Sequence, residues 1–204
     1  MTLRRRERVA TVLARRQPDL TVVAETVHKP HNLSAVLRSC DAVGIGTIHA
    51  IQPTGGVPTY TATSASAERW VDVVIHGTIA AAVQHLRRDG TTIYAAHLSD
   101  TAVDYRSVDY VKPCAIIIGN ERDGVSADAA AVADEHIVIP MLGMVQSLNV
   151  SVATAVILFE AQRQRLAAGM YDEPRLDQAE LEAIGARWLR SPAERRHDRA
   201  GGED

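Results

Sequence analysis

Apolar residues follow two alternating patterns along the chain. Short β-branched runs predict strands, and segments with apolar residues three and four positions apart predict helices. The predicted strands are residues 21–27, 47–52, 71–75, 92–98, 114–118 and 137–139. The predicted helices are residues 2–16, 33–43 with Asn32 as N-cap, 79–86, 126–133, 145–168 and 177–190. This alternation predicts an α/β fold, with a mostly parallel sheet and helices on both of its faces.

Composition and length predict a folded protein of ordinary domain size. Of the 204 residues, 46% are hydrophobic and 23% are charged, as in soluble globular proteins. The longest apolar run, residues 150–159, is about half the roughly 20 residues that a membrane span needs. The charged N-terminus has no apolar segment typical of a secretory signal. We therefore expect a cytoplasmic protein without membrane association.

Arginine is concentrated at both ends of a chain whose formal net charge is −3. Six arginines lie within the first 16 residues, and five more lie between residues 187 and 199. Arginine binds phosphate through a planar fork of donors, so clustered arginine is typical of nucleic-acid-binding surfaces. A solvated helix face is an equally good interpretation of the charge pattern alone. We divide the chain into a basic N-terminal extension (1–20), a central domain (21–170) and a C-terminal helix with a basic tail (171–204).

Neither the cysteines nor the histidines predict a metal site or a disulfide. Cys40 and Cys114 lie in apolar segments and are expected to be buried small side chains. His28 and His31 are three positions apart, but no cysteine or carboxylate set completes a zinc site. We therefore expect no metal.

Three polar loops follow predicted strands, at the edge where open α/β sheets bind ligands. They cover residues 28–38, 119–124 and 140–151. Glycines flank the second loop, which predicts either a close approach of backbone to a ligand or a tight turn. The third holds Gln146, Ser147, Asn149 and Ser151, more polar side chains than a helix cap requires. The sequence has no Rossmann glycine motif, no Walker A motif and no G-x-S-x-G.

Arg38 is unusual because its predicted helix, SAVLRSCDAV, is otherwise small and apolar. Such an arginine extends to solvent, pairs with an acid such as Asp41, or contacts a ligand. The local sequence leaves the salt bridge and the ligand equally open.

The three loops resemble the three motifs of the SpoU branch of the SPOUT methyltransferases. Asn32-Leu33-Ser34 with Arg38, Gly119-x-Glu121 with Gly124, and IPMLGMVQSLNVSVA occur in the family's order. The segments ARRQPDLTVV, VHKPHN, HLSD and FEAQRQR are similar to members that methylate guanosine 18 of tRNA. The resemblance covers roughly residues 9–171.

This resemblance implies a SPOUT domain over residues 21–170, with a deep trefoil knot in its C-terminal half. It implies S-adenosylmethionine as methyl donor and a homodimer with the active site at the interface. The reaction would be methylation of the ribose 2′-hydroxyl of guanosine 18 in the D-loop of tRNA. Methylation of a ribosomal RNA ribose and non-catalytic RNA binding are the alternatives. The short segment before the first strand favours tRNA over ribosomal RNA.

The resemblance also assigns roles to individual residues. The catalytic residue is Arg38, supported by Asn32, Glu121, Ser147 and Asn149. The donor would be bound by His97, Gly119, Asn120, Glu121, Ile139, Met141, Met144 and Leu148. RNA would be bound by Arg4, Arg5, Arg6, Arg8, Arg15, Arg16, His31, Arg163 and Arg165.

Arginine stays protonated in proteins, which makes it a poor general base. We therefore expect a charged Arg38 to hold a phosphate and stabilise the developing alkoxide, while the proton leaves through phosphate or water. The alternative is a desolvated Arg38, with a tRNA phosphate taking part in proton removal.

Overall fold

The computed structural model describes residues 2–27, 29–52, 69–120 and 122–190. The strands are β1 Leu20–Glu25, β2 Thr47–Ile51, β3 Asp72–His76, β4 Thr92–Ala96, β5 Val103–Asp104, β6 Cys114–Ile118 and β7 Glu135–Val138. The helices are α1 Leu3–Leu13, α2 Pro30–Val43, α3 Ile79–Arg87, α4 Ala127–Ala131, α5 Val150–Ala167 and α6 Gln178–Leu189. His28, Glu121 and the predicted loop at 53–58 lie outside the described residues.

The strands form one parallel sheet in the order β3-β2-β1-β6-β4-β7-β5. The predicted α/β class with a mostly parallel sheet is thereby confirmed. The sequence pattern missed β5, which is two residues long and too short to show a periodicity. The trefoil knot stays a prediction from the resemblance.

Helices cover both faces of the sheet. Neighbouring residues of β6 point in opposite directions, as strand geometry requires. Ile116 packs in the cluster that holds Leu37 of α2 and Leu158 of α5. Ile117 packs in the cluster that holds Val83 of α3 and Ala129 of α4. Burial on both sides explains why β6 is apolar at every position.

Two predicted helix starts are wrong. Helix α2 begins at Pro30, with Lys29 as N-cap, because proline suits the first helical position. Asn32 therefore lies inside the first turn, where it is buried. Helix α5 begins at Val150, five residues later than predicted, because the side chain of Asn149 caps it.

The two terminal helices pack against each other. Val9 and Leu13 of α1 form a small buried cluster with Trp188 of α6. Both cysteines are buried, as predicted, and burial raises the pKa of the Cys114 thiol to about 12. Among the helices of the described residues, none has the length and apolar character to cross a bilayer.

Candidate functional site

A cavity of about 360 Å³ lies at the carboxyl ends of β4, β6 and β7. This is the edge at which ligands bind open α/β sheets. Loops that the sequence predicted to be functional supply much of the lining. Of the predicted site residues, those that line it are His97, Gly119, Asn120, Ile139, Met141, Ser147, Leu148 and Asn149.

Other predicted residues are placed elsewhere. Met144 is fully exposed and does not line the cavity, although Met141 in the same loop does. Glu121 falls outside the described residues. Lys29, Arg122 and Gln146 also line the cavity; all three lie in the predicted ligand-binding loops, although none was assigned a role.

The turn after β6 requires glycine at position 119. A Cβ atom there would lie 1.9 Å from the carbonyl carbon and oxygen of Gly124, far inside van der Waals contact. The side chain of Asn120 closes the turn by accepting hydrogen bonds from the backbone N–H groups of Arg122 and Asp123, at 2.8 and 2.7 Å. The segment is thus a tight turn whose backbone also borders the cavity.

Asn149 joins the third loop to the first. Its Oδ1 accepts hydrogen bonds from the backbone N–H and the hydroxyl of Ser151, at 2.9 and 2.6 Å. Its Nδ2 donates to Oδ1 of Asn32 at 3.2 Å. Asn32 is only 2% exposed, so this hydrogen bond lies where α2 meets α5. The structure therefore brings together two residues that the resemblance assigns to one site.

Arg38 lies on the same helix as Asn32 but not at the cavity. Six residues separate the two, which is about 9 Å along the helix axis. Arg38 is exposed and is absent from the cavity lining. The predicted alternative of a pair with Asp41 is wrong, because Asp41 binds Arg16 at 2.7 Å. No hydrogen bond or ion pair joins Arg38 to the described part of the chain.

Most of the predicted RNA-binding side chains are accessible. Those of Arg4, Arg6, Arg8, Arg15, His31 and Arg163 are exposed. Arg5 is half-buried and donates a hydrogen bond to the backbone carbonyl of Trp188 at 3.2 Å. Arg163 pairs with Glu160 at 2.8 Å.

Two predicted RNA contacts, Arg16 and Arg165, are corrected by the structure. Arg16 is 2% exposed and Arg165 is fully buried, so neither can reach a bound nucleic acid. Arg16 donates to the carbonyls of Ile45 and Trp70, at 2.8 and 3.0 Å. Arginine can join interior segments in this way because its fork offers five donors.

Helical spacing could have revealed the interior position of Arg165. It lies seven residues after Leu158 and four after Ala161, on the apolar face of α5. Its guanidinium binds the backbone carbonyl of Tyr110 at 2.8 Å and Oδ1 of Asp19 at 2.6 Å. The spacing thus indicates the buried position of Arg165, but not these partners, which lie 55 and 146 residues away.

Known proteins similar to this chain belong to the family that its motifs indicate. Residues 19–159 match the model of the SpoU rRNA methylase family. A tRNA (guanosine(18)-2′-O)-methyltransferase of Thermus thermophilus is 59% identical over 186 residues, which are 91% of this chain and 96% of that protein.

Two solved structures share the fold. The Aquifex aeolicus TrmH/SpoU tRNA modifying enzyme has a TM-score of 0.84 at 41% identity, over 91% of this chain and 94% of that one. The AdoMet-bound rRNA methyltransferase of Sinorhizobium meliloti has a TM-score of 0.63 at 30% identity, over 76% of this chain and 59% of that one. Since the family model spans most of the sheet and the motif loops meet around one cavity, the chain belongs to the SpoU rRNA methylase family.

Proposed function

We propose that the protein methylates the ribose 2′-hydroxyl of guanosine 18 in tRNA, with S-adenosylmethionine as the methyl donor. One observation carries the proposal. The Thermus thermophilus relative, which bears the name of that activity, shares 59% identity over nearly the full length of both chains. The cavity at the carboxyl edge of the sheet provides a matching place for the donor.

The cavity suits a nucleoside-containing ligand. Its volume of about 360 Å³ lies within the usual range for small-molecule sites. Its lining combines apolar side chains such as Ile137 and Leu148 with polar groups such as His97 and Asn149. Gly119 lets a ligand approach the backbone closely. When bound, S-adenosylmethionine supplies an electrophilic methyl group on its sulfonium.

The outer face of α5 supports a homodimer. Val152, Phe159 and Leu166 recur every seven residues and are 48%, 50% and 55% exposed. Side chains spaced in this way form one apolar stripe along a helix. The opposite face of α5 already packs on α2 through the core. We therefore infer that a second copy covers the stripe.

Dimerisation also gives Arg38 a place in the reaction. Arg38 does not line the cavity of its own chain, and it extends from α2, the neighbour of α5. Arg38 of one protomer would complete the site that the other protomer builds around its cavity. Its cation would hold a tRNA phosphate and stabilise the alkoxide as the hydroxyl proton leaves through phosphate or water. The Asn32–Asn149 hydrogen bond would hold the first and third motif loops in a fixed relative position, so that the reacting atoms are aligned.

The accessible arginines of the N-terminal helix would bind tRNA phosphates. Arg4, Arg6 and Arg8 are exposed along one segment of α1. Phosphate contacts of this kind release counterions, so tRNA affinity should fall steeply with salt.

A methyl-transfer assay tests the proposal. Labelled S-adenosylmethionine is incubated with an unmodified tRNA transcript and with the same transcript lacking guanosine 18. We expect transfer to the first transcript only, and its loss in Arg38→Ala with donor binding intact. Transfer to a ribosomal RNA fragment but not to tRNA would show that the substrate is ribosomal RNA and not tRNA. No donor binding by folded wild type would overturn the enzymatic proposal.

Mixing two inactive variants tests the shared site. Arg38→Ala and Asn149→Ala protomers are combined and allowed to exchange. If Arg38 acts across the interface, each mixed dimer holds one intact site, and about a quarter of wild-type activity returns. If Arg38 acts within its own chain, or if the protein is a monomer, no activity returns.

A further inference from the structure

Two histidines and a serine form a hydrogen-bonded cluster beside the cavity. Nδ1 of His97 lies 3.1 Å from Nδ1 of His136, and the hydroxyl of Ser99 lies 3.0 Å from that same His136 nitrogen. Nε2 of His136 lies 3.1 Å from the backbone carbonyl oxygen of Ala130. His97 lines the cavity, whereas His136 and Ser99 do not.

The sheet holds both rings in place. His97 directly follows β4, and His136 pairs with Ala95 in the register of β4 and β7. The backbone N–H of His97 also donates to the carbonyl of Ile137 at 3.2 Å. The ring centroids are 5.1 Å apart in an edge-to-face arrangement. The contact between the rings therefore rests on backbone pairing of two strands.

The carbonyl of Ala130 determines where the protons lie. A carbonyl oxygen only accepts hydrogen bonds, so Nε2 of His136 must carry a hydrogen. In the neutral ring, Nδ1 of His136 is then an acceptor. Two neutral ring nitrogens 3.1 Å apart need a hydrogen between them, and only Nδ1 of His97 can carry it; the hydroxyl of Ser99 donates to the same acceptor. This leaves Nε2 of His97 with a free lone pair.

We propose that His136 is a positioning residue that fixes His97 as the Nδ1-protonated tautomer, so that Nε2 of His97 accepts a hydrogen bond from an N–H or O–H group of the methyl donor. The inference rests on the proposed function, because it needs the donor in this cavity. The hydrogen bond made by one imidazole nitrogen commonly determines the state of the other. The cluster would thus select ligands that present a donor group to His97.

Nitrogen NMR of the histidine side chains tests the tautomer directly. In the wild type we expect Nδ1 of His97 to be protonated and Nε2 of His97 to be unprotonated. His136→Leu removes the acceptor, so the His97 tautomer should change. His136→Asn places an amide oxygen near the former position of Nδ1 and should restore the wild-type tautomer of His97. Ser99→Ala, the matched control, leaves the His97–His136 contact and should preserve the wild-type tautomer.

Titration with S-adenosylmethionine tests the contact to the ligand. Addition should shift the Nε2 resonance of His97 and leave that of His85 unchanged, because His85 contacts His49 and His76 and does not line the cavity. His136→Leu should weaken binding about five- to ten-fold, and His136→Asn should recover most of the loss. An unchanged His97 tautomer in His136→Leu, or unchanged affinity despite an altered tautomer, would overturn the inference. Failure of wild type to bind the donor would contradict the proposed function, and the tautomer measurement in the free protein would still decide the role of His136.

Discussion

Two arginines two positions apart on α5 should respond in opposite ways to the same substitution. The family resemblance assigns both Arg163 and Arg165 to RNA binding, but only Arg163 is exposed. Methionine keeps an unbranched apolar stem and removes the guanidinium. We expect Arg165→Met to destabilise the fold, and Arg163→Met to leave stability unchanged and weaken tRNA binding.

The magnitude for Arg165 follows from its contacts. Its guanidinium makes five hydrogen bonds, which reach Gln17, Asp19, Tyr110 and Lys112 at 2.6–3.3 Å. Burial favours a higher pKa for Asp19, but hydrogen bonds from Arg175 and Arg165 outweigh it and lower that pKa. Breaking a buried ion pair by removing one partner costs about 3–5 kcal/mol. Because Asp19 keeps Arg175 as a partner, we expect the lower end, about 3 kcal/mol, which for a chain of this length corresponds to a fall in Tm of about 6–12 °C.

Thermal unfolding and tRNA binding of both variants provide the test. Arg165→Met should have a Tm lowered by the amount given above, and its remaining folded fraction should bind tRNA with nearly wild-type affinity. Arg163 pairs with Glu160 at the surface, where ion pairs contribute little, so Arg163→Met should keep its Tm. A stable Arg165→Met that had lost tRNA binding would refute the assignment of Arg165 to the interior.

Three further predictions concern the cavity and the opposite half of the sheet. Gly119→Ala should weaken donor binding at least ten-fold because its Cβ would overlap the backbone of Gly124, whereas Gly143→Ala, with open space around it, should bind normally by calorimetry. Asn149→Asp should keep the cap of α5 and its Tm but lose methyl transfer, because it removes the hydrogen-bond donor to Asn32; Asn149→Ala should also lose about 1 kcal/mol of stability. Burial, and then the charges of neighbouring histidines, lower the pKa of His49 to about 4. The unfolded chain therefore binds a proton first as pH falls below about 6.5, which costs roughly 2 kcal/mol of stability between pH 7 and pH 5. Tm should therefore drop by about 4–7 °C over that range; a His49→Gln variant with the same pH dependence would contradict this.

The fold class was predictable because strand and helix periodicities are local. Strand β6 has the predicted bounds, since five apolar residues end at a glycine turn. Ser126, where the predicted helix begins, caps α4 by accepting a hydrogen bond from the backbone N–H of Ala129 at 3.1 Å. Such features depend on a few neighbouring residues, and the sequence shows them directly.

Interactions between distant segments were not predictable in the same way. Arg165 is 146 residues from Asp19, and nothing near either residue indicates the pair. The contact between His97 and His136 likewise depends on the pairing of β4 with β7. Sequence motifs located the cavity, but the groups that position the residues lining it became visible only with the sheet order.

The position of Arg38 indicates that one chain alone does not form a complete site for the proposed reaction. The resemblance makes it the catalytic residue, yet it does not line the cavity of its own chain. The apolar stripe on α5 is also about half exposed in the part of that chain that the structure describes. Association with a second copy would bury the apolar stripe of α5. The same association would bring Arg38 of each chain to the cavity of the other. A variant with charges at Val152 and Phe159 should therefore become monomeric and lose methyl transfer while still binding the donor, because the cavity belongs to a single chain. Full activity in such a monomer would show that Arg38 reaches the reacting groups of its own chain.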